Sequence, residues 1–237
     1  VVILSRRTGL PVGHIGATVL VENVLDVLMV VVLLLGLIPL MPIPPIVLSA
    51  GLVLGGIVGI LALGLTLAVV LNERAEYVAS LFSHVIPRRI RDLIYRQWSG
   101  AVAGLGALGT PGVAASAIGS SLLLWAFAIL SFWSVIEAVA PGGAPHEATF
   151  AVTWISLGAV VPSTPGSIGV YELVGQQALL TSAPGRFTPA SALSVALLAH
   201  ALFYVLTLVL GAIALVRLGV SLGGVRRAPI PGAATVE

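Results

Sequence analysis

The chain contains long apolar runs separated by short turns, and this pattern constrains its fold more than any other feature. A helix needs about 20 apolar residues to cross the hydrocarbon core of a bilayer. Four runs reach this length, at residues 18–38, 46–71, 113–138 and 190–216. Because the bilayer core offers the backbone no water, such runs must be helical. The sequence therefore predicts an all-α fold, a polytopic bundle of transmembrane helices.

The charge content agrees with a membrane protein. Only 8% of the 237 residues are charged and 58% are hydrophobic, whereas a soluble domain carries about a quarter charged residues. The chain has no cysteine, which excludes disulfides and cysteine-based metal sites. Its formal net charge of +2 is too small to indicate a nucleic-acid partner. The basic segment 88–98 has apolar residues at helical spacing, which is typical of an amphipathic helix on an anionic leaflet.

A proline- and glycine-rich break interrupts a fifth apolar stretch. The sequence VVPSTPGSIGVYE, residues 160–172, leaves an arm of about fourteen residues before Pro162 and one of about thirteen after Gly169. At about 1.5 Å per residue each arm reaches about 20 Å, too short for a hydrocarbon core about 30 Å thick. We therefore predict a re-entrant hairpin of two half-helices over residues 148–182. A proline kink in one packed helix is the alternative.

Arginine placement supports the hairpin and predicts the topology. With a cytoplasmic N-terminus and a returning hairpin, ten of the eleven arginines are cytoplasmic and only Arg186 is outside. A single crossing would instead export the arginines of the tail, against the positive-inside rule. We predict a multi-pass protein of the cell inner (plasma) membrane with both termini cytoplasmic. Its transmembrane domain covers residues 1–220, and a disordered tail covers 221–237.

Ionisable residues inside apolar runs are the candidate site residues, because they are costly in a bilayer and indicate function by default. Glu22 and Asp26 are four residues apart and share one helix face. Alternatively, both face water at the cytoplasmic end of their helix. Glu172 lies at the start of the second half-helix, where the helix dipole favours its charge. His200 lies deep in the last run, where a single interhelical hydrogen bond is the alternative to a functional role.

The break is expected to contact a ligand through its backbone rather than through its side chains. Half-helices that meet within the membrane form the binding sites of many transporters. Gly166 and Gly169 allow a ligand to approach closely, and Pro162 and Pro165 remove N–H donors that would need partners. No nucleophile–base spacing, phosphate-binding loop or metal-ligand cluster occurs in the sequence. We therefore expect no catalytic residue, metal or cofactor, although an enzymatic role stays open.

The segment 162–172, PSTPGSIGVYE, resembles a family motif. It is similar to the PxxPGGxGxxE segment of the lysylphosphatidylglycerol synthase transmembrane-region family of flippase-like membrane proteins. Residues 6–10, RRTGL, and residues 21–26, VENVLD, resemble that family's N-terminal arm and its VERxxD helix. The resemblance covers nearly the whole chain and implies a membrane helix bundle that handles lipid.

Three positions depart from the family pattern, and the resemblance also implies a longer protein. Ser167 replaces the second glycine of the PGG segment, and Asn23 replaces the arginine of the VERxxD helix. His200 lies where an arginine is expected. Members of the family usually have a first half that ends in a similar hairpin with a Gly-Glu pair. The chain is therefore expected to be the C-terminal portion of a longer member, and a reduced member of the family is the alternative. Its expected protein partner is the missing N-terminal half or a second copy.

The function implied by the resemblance is lipid translocation. Membrane lipids are the expected partners, and the implied substrate is an aminoacyl-phospholipid or a polyprenyl-phosphate-linked lipid. The alternatives are the membrane portion of an aminoacyl- or glycosyltransferase system and a packing subunit without its own substrate. The predicted substrate-binding residues are Glu22, Asp26, Pro162, Pro165, Gly166, Gly169, Glu172 and His200.

Overall fold

A computed structural model of the protein describes residues 12–70, 109–159 and 164–217, and every regular element in these ranges is helical. The predicted all-α class is confirmed. The elements are α1 (Val12–Leu37), α2 (Pro45–Val70), α3 (Pro111–Val139), α4 (Pro145–Gly158), a 3-10 turn (Pro165–Ser167), α5 (Val170–Ser182) and α6 (Pro189–Arg217).

Three of these helices are long and apolar enough to cross a membrane: Pro45–Gly64 within α2, the whole of α3 and the whole of α6. Together with the all-helical fold, they confirm the predicted membrane helix bundle. Both α3 and α6, like α2 and α4, begin with a proline. The fixed φ of proline suits the first helical turn, and its missing N–H needs no partner there.

Several predicted features are not tested by the described residues. The run 18–38 lies largely in α1, and its crossing of the membrane stays a prediction. The N-terminal arm 6–10, the basic segment 88–98 and the tail 221–237 lie outside the described residues.

The helices α4 and α5 correspond to the predicted pair of half-helices. They contain 14 and 13 residues, and at about 1.5 Å per residue each is about 20 Å long. The two helices pack against each other. A Cβ added to Gly158 would lie 3.0 Å from Val174, and one added to Gly175 would lie 3.3 Å from Ile155. Glycine therefore allows the two short helices to approach closely.

A single arginine joins the two ends of this hairpin. The Arg186 guanidinium, in the loop after α5, donates hydrogen bonds to the carbonyl oxygens of Ala140 and Gly142, in the loop before α4. One of its nitrogens also lies 3.1 Å from Oε1 of Glu147, a buried carboxylate in the first turn of α4. The chain therefore enters and leaves the hairpin at the same end, which is the geometry that a re-entrant segment requires.

Glu137, near the end of α3, completes what we define as the base clasp: Arg186, Glu137 and Glu147. The Glu137 carboxylate accepts hydrogen bonds from the N–H groups of Gly142 and Gly143 and lies 4.0 Å from the guanidinium of Arg186. Two carboxylates thus flank Arg186, the single arginine that the predicted topology places outside. Its position outside the cell stays a prediction.

The first helix of the hairpin, α4, lies at the centre of the described helices. α4 contacts α1, α2, α3 and α5, and α5 also contacts α6. All six helices contribute side chains to the fully buried core, whose largest members are Phe150, Leu34, Leu37, Ile136, Leu179, Val47, Val195 and Thr153. By contrast, α2 and the second half of α6 expose many large apolar side chains, as expected for helices that face lipid. The core therefore packs around α4 and one face of α5, while the described residues of the break stay largely exposed.

We expect the loops at both ends of the hairpin to lie on the same side of the membrane. Because the chain has no cysteine, single cysteines at the exposed positions Pro141 and Pro184 can be probed with a membrane-impermeant maleimide. Both should label from outside the cell, as should a cysteine at the exposed Leu40 between α1 and α2. Labelling of Pro141→Cys and Pro184→Cys from opposite sides would contradict the hairpin. Labelling after membrane permeabilisation controls for the protein level.

We expect Arg186→Ala to destabilise the protein by about 3 kcal/mol, because removing one partner leaves a buried charge uncompensated. The charge concerned is that of Glu147, whose side chain is 7% exposed. Unfolding in detergent micelles, followed by circular dichroism, measures the loss. The matched control is Arg217→Ala, which removes an exposed arginine from the last turn of α6 and should change stability little. Equal stability of the two variants would show that the clasp does not hold the hairpin.

Candidate functional site

The break between α4 and α5 contains three residues with positive φ. Gly166, Ser167 and Gly169 have φ values of 77°, 56° and 92°, a region that residues with a Cβ rarely adopt. The Thr164 hydroxyl donates a hydrogen bond of 2.7 Å to the carbonyl oxygen of Ile168, so the turn satisfies part of its own backbone. Ser167 stands where the family motif has glycine, and its φ shows why glycine suits that position.

Glu172 caps the helix that follows the break. Its Oε2 accepts a hydrogen bond of 2.6 Å from the N–H of Gly169, the residue that immediately precedes α5. The first turn of a helix has unpaired N–H groups and a positive dipole end, both of which favour a carboxylate. Since Gly169 has no side chain, only the carboxylate half of a capping box forms. One oxygen of Glu172 is therefore bound by the chain's own backbone.

His200 of α6 holds the other oxygen of Glu172. Its Nδ1 lies 2.6 Å from Oε1 of Glu172, and we assign the imidazole as the donor because Glu172 already accepts a backbone hydrogen bond. The side chains of His200 and Glu172 are only 6% and 12% exposed. The fold thus joins two residues that the sequence indicated separately. Their role as substrate ligands stays a prediction.

Two tyrosine rings, which the sequence analysis did not single out, contact His200. The ring of Tyr171 stacks on the imidazole at 4.1 Å between centroids with planes 10° apart, and the ring of Tyr204 lies at 4.7 Å. The Tyr204 hydroxyl also donates a hydrogen bond of 2.8 Å to the carbonyl oxygen of Gly166. We define these residues as the break cluster: Gly166, Tyr171, Glu172, His200 and Tyr204.

A sequence signal for both tyrosines was present. Tyr204 follows His200 by four residues, a spacing that places two side chains on the same helix face. Tyr171 directly precedes Glu172. Apolar runs contain many aromatic residues, however. Only the packing of α5 on α6 shows that these two tyrosines, rather than other aromatic residues, contact His200.

The remaining predicted site residues are not members of the break cluster. Pro165 begins the 3-10 turn and is exposed, and Pro162 lies outside the described residues. On α1, Glu22 is exposed, whereas Asp26 accepts a hydrogen bond of 3.1 Å from Nε1 of Trp125 in α3. In the described part of the chain, no hydrogen bond or ion pair joins either acid to the break cluster. Their part in substrate binding stays a prediction.

The chemistry of the break cluster suits a cation. A carboxylate beside aromatic rings is the arrangement with which proteins bind organic cations. The cluster contains no arginine that would bind a phosphate. Within residues 12–70, 109–159 and 164–217, no three His, Asp or Glu side chains gather as a metal site would require.

These observations define an integral membrane protein built around a broken-helix hairpin. The family model described as lysylphosphatidylglycerol synthase TM region matches residues 1–211, and the chain belongs to this family. The match covers most of the 237 residues and confirms the family resemblance. Comparisons with curated proteins and with solved structures gave no match.

We expect Gly166→Ala to destabilise the protein more than Gly169→Ala. Both substitutions place a Cβ at a positive φ, which costs on the order of 1–3 kcal/mol. At Gly166 the new Cβ also overlaps the Tyr204 hydroxyl, whereas at Gly169 it meets nothing within 4 Å. Thermal unfolding in detergent measures the difference.

Tyr204→Phe provides the control for this comparison. It removes the overlapping hydroxyl, so the double variant Gly166→Ala/Tyr204→Phe should lose less stability than the sum of the two single variants. Additive losses, or equal losses for the two glycine variants, would show that the contact between Gly166 and Tyr204 does not constrain the break.

Proposed function

We propose that this membrane protein translocates an amphipathic lipid between leaflets and that the lipid headgroup passes at the break between α4 and α5. The observation that carries the proposal is the Glu172 carboxylate, placed at a broken helix inside an apolar bundle and beside the exposed backbone of Gly166 and Gly169. Irregular backbone at membrane depth is tolerated where protein buries it or where it lines a cavity. Exposed glycines at the break favour the second case.

The cost of Glu172 argues against a purely architectural role. A carboxylate within a membrane span costs roughly 3 kcal/mol on insertion scales. A neutral serine, threonine or asparagine also caps a helix N-terminus well, so capping α5 does not need an ionisable side chain. We infer that the negative charge or a transferable proton of Glu172 serves the translocated lipid.

The charge of the site favours a cationic headgroup. The N-terminus of α5 would attract an anion, but Glu172 already occupies it. Asn23 and His200 stand at two positions where the family motif has arginine. Of the two implied lipid classes, an aminoacyl-phospholipid therefore fits the site better than a polyprenyl-phosphate-linked lipid. Its ammonium group would bind the Glu172 carboxylate and pack against a tyrosine ring.

The proposed orientation places the break within reach of the cytoplasmic leaflet. With both termini cytoplasmic, the base clasp lies on the outer side of the inner (plasma) membrane. The hairpin then enters from outside, and its break points towards the cytoplasm. A headgroup in the cytoplasmic leaflet would meet the break first and leave towards the base of the hairpin.

We expect Glu172→Gln to abolish translocation, because glutamine keeps the shape of glutamate but removes its charge. The amide oxygen can still accept from the Gly169 N–H, and the amide NH2 can donate to Nδ1 of His200 in the other imidazole tautomer. The assay is the leaflet distribution of fluorescent lysyl-phosphatidylglycerol in proteoliposomes, with phosphatidylglycerol as the lipid lacking the cationic group. The thermal unfolding of the variant, measured in parallel, should stay close to that of the wild type.

Glu22→Gln makes the same chemical change at an exposed acid on α1 and tests this second predicted site residue separately. Loss of translocation in this variant as well would assign the α1 acid a place on the lipid path. Normal translocation by Glu172→Gln would reduce the break to architecture, whereas no translocation by the wild type would favour the packing-subunit alternative. Transfer of the lysyl group by the wild type, detected by mass spectrometry, would favour the transferase alternative.

A further inference from the structure

The break cluster has the composition of an organic-cation site, and a side chain of the protein occupies it. Glu172 supplies the carboxylate, and Tyr171 and Tyr204 supply aromatic rings whose centroids lie 4.1 Å and 4.7 Å from that of His200. Cation-binding sites combine the same groups. Here the group held by the carboxylate and the rings is the imidazole of His200.

His200 and an incoming cation would compete for the same atom. Oε2 of Glu172 is bound by the Gly169 N–H at 2.6 Å, which leaves Oε1 as the oxygen available to a ligand. Nδ1 of His200 lies 2.6 Å from that oxygen, and Glu172 is only 12% exposed. An ammonium group would have to displace His200 to make the same contact with Oε1.

A second contact from α6 closes the same end of the break. Tyr204, one helical turn after His200, donates its hydrogen bond to Gly166. Further along, α5 and α6 are held by close apolar packing, since a Cβ added to Gly175 would lie 3.0 Å from the Cβ of Ala196. The two polar contacts at the break are thus separate from the packing that holds the helices together.

We propose that His200 and Tyr204, which we define as the α6 latch, keep the cation site closed. His200 acts as an internal ligand that a cationic lipid headgroup displaces from Glu172. The identity of the competing headgroup rests on the proposed function, whereas the existence of the latch does not. The latch couples entry of a cation to release of α6 from the break.

The latch can be tested without any lipid. Nitroxide labels on cysteines at the exposed positions Ile168 and Leu206 report the distance between the break and α6 by double electron–electron resonance. We expect a broader or longer distance distribution in His200→Leu and a smaller change in Tyr204→Phe, which keeps the ring. Leu202→Ala, at an exposed position of α6, is the control and should leave the distribution unchanged. Unchanged distributions in both latch variants would overturn the latch.

Competition is tested by binding of lysyl-phosphatidylglycerol to the purified protein in detergent, with phosphatidylglycerol as the reference lipid. If His200 is an internal ligand, His200→Leu should bind the lysyl lipid about tenfold more tightly than the wild type, the factor expected when a competing hydrogen bond to a charged group is removed. Equal or weaker binding, with clear binding by the wild type, would overturn the internal-ligand role. If neither the wild type nor His200→Leu prefers the lysyl lipid, both the cationic-lipid function and the internal-ligand role of His200 are contradicted. The distance measurement still decides whether the latch exists.

Discussion

The backbone at the break, residues 164–169, is the constraint on which the rest of the structure depends. A broken helix leaves N–H and C=O groups without partners, and a bilayer core supplies no water to satisfy them. Side chains supply three of the missing partners. Thr164 donates a hydrogen bond to the carbonyl oxygen of Ile168, and Tyr204 donates one to the carbonyl oxygen of Gly166. Glu172 accepts a hydrogen bond from the N–H of Gly169. Two of these side chains belong to the break cluster. The contacts that make the break tolerable therefore also position its chemistry.

The two ends of the hairpin are held by polar groups, and its middle is held by close packing. At the base, Arg186 with Glu137 and Glu147 joins the loops before α4 and after α5. At the tip, His200 holds Glu172. Between them, glycines such as Gly175 bring the helices into contact. The proposed latch uses this division, because it requires the tip to rearrange around a ligand while the base stays closed.

Much of this arrangement follows from local sequence. Length and apolarity predict α1, α2, α3 and α6 because a helix of about 20 apolar residues is the simplest way to bury a backbone in lipid. The break is visible because proline and glycine disfavour helix wherever they occur together. Glu172 and His200 are conspicuous because ionisable residues are rare in such runs. The roles of Glu137 and Arg186 were not predicted, since each is an ordinary charged residue near a helix end.

The sequence by itself determined the all-α membrane class, the location of the break and the family to which the chain belongs. Only the tertiary structure decided which polar groups meet: His200 with Glu172, 28 residues apart, and Arg186 with the loop before α4. The physical reason is that helix formation in a membrane depends on neighbours along the chain. The choice of partner depends instead on which helix faces pack together. The three-dimensional arrangement brings an isolated acid together with a histidine and two tyrosine rings.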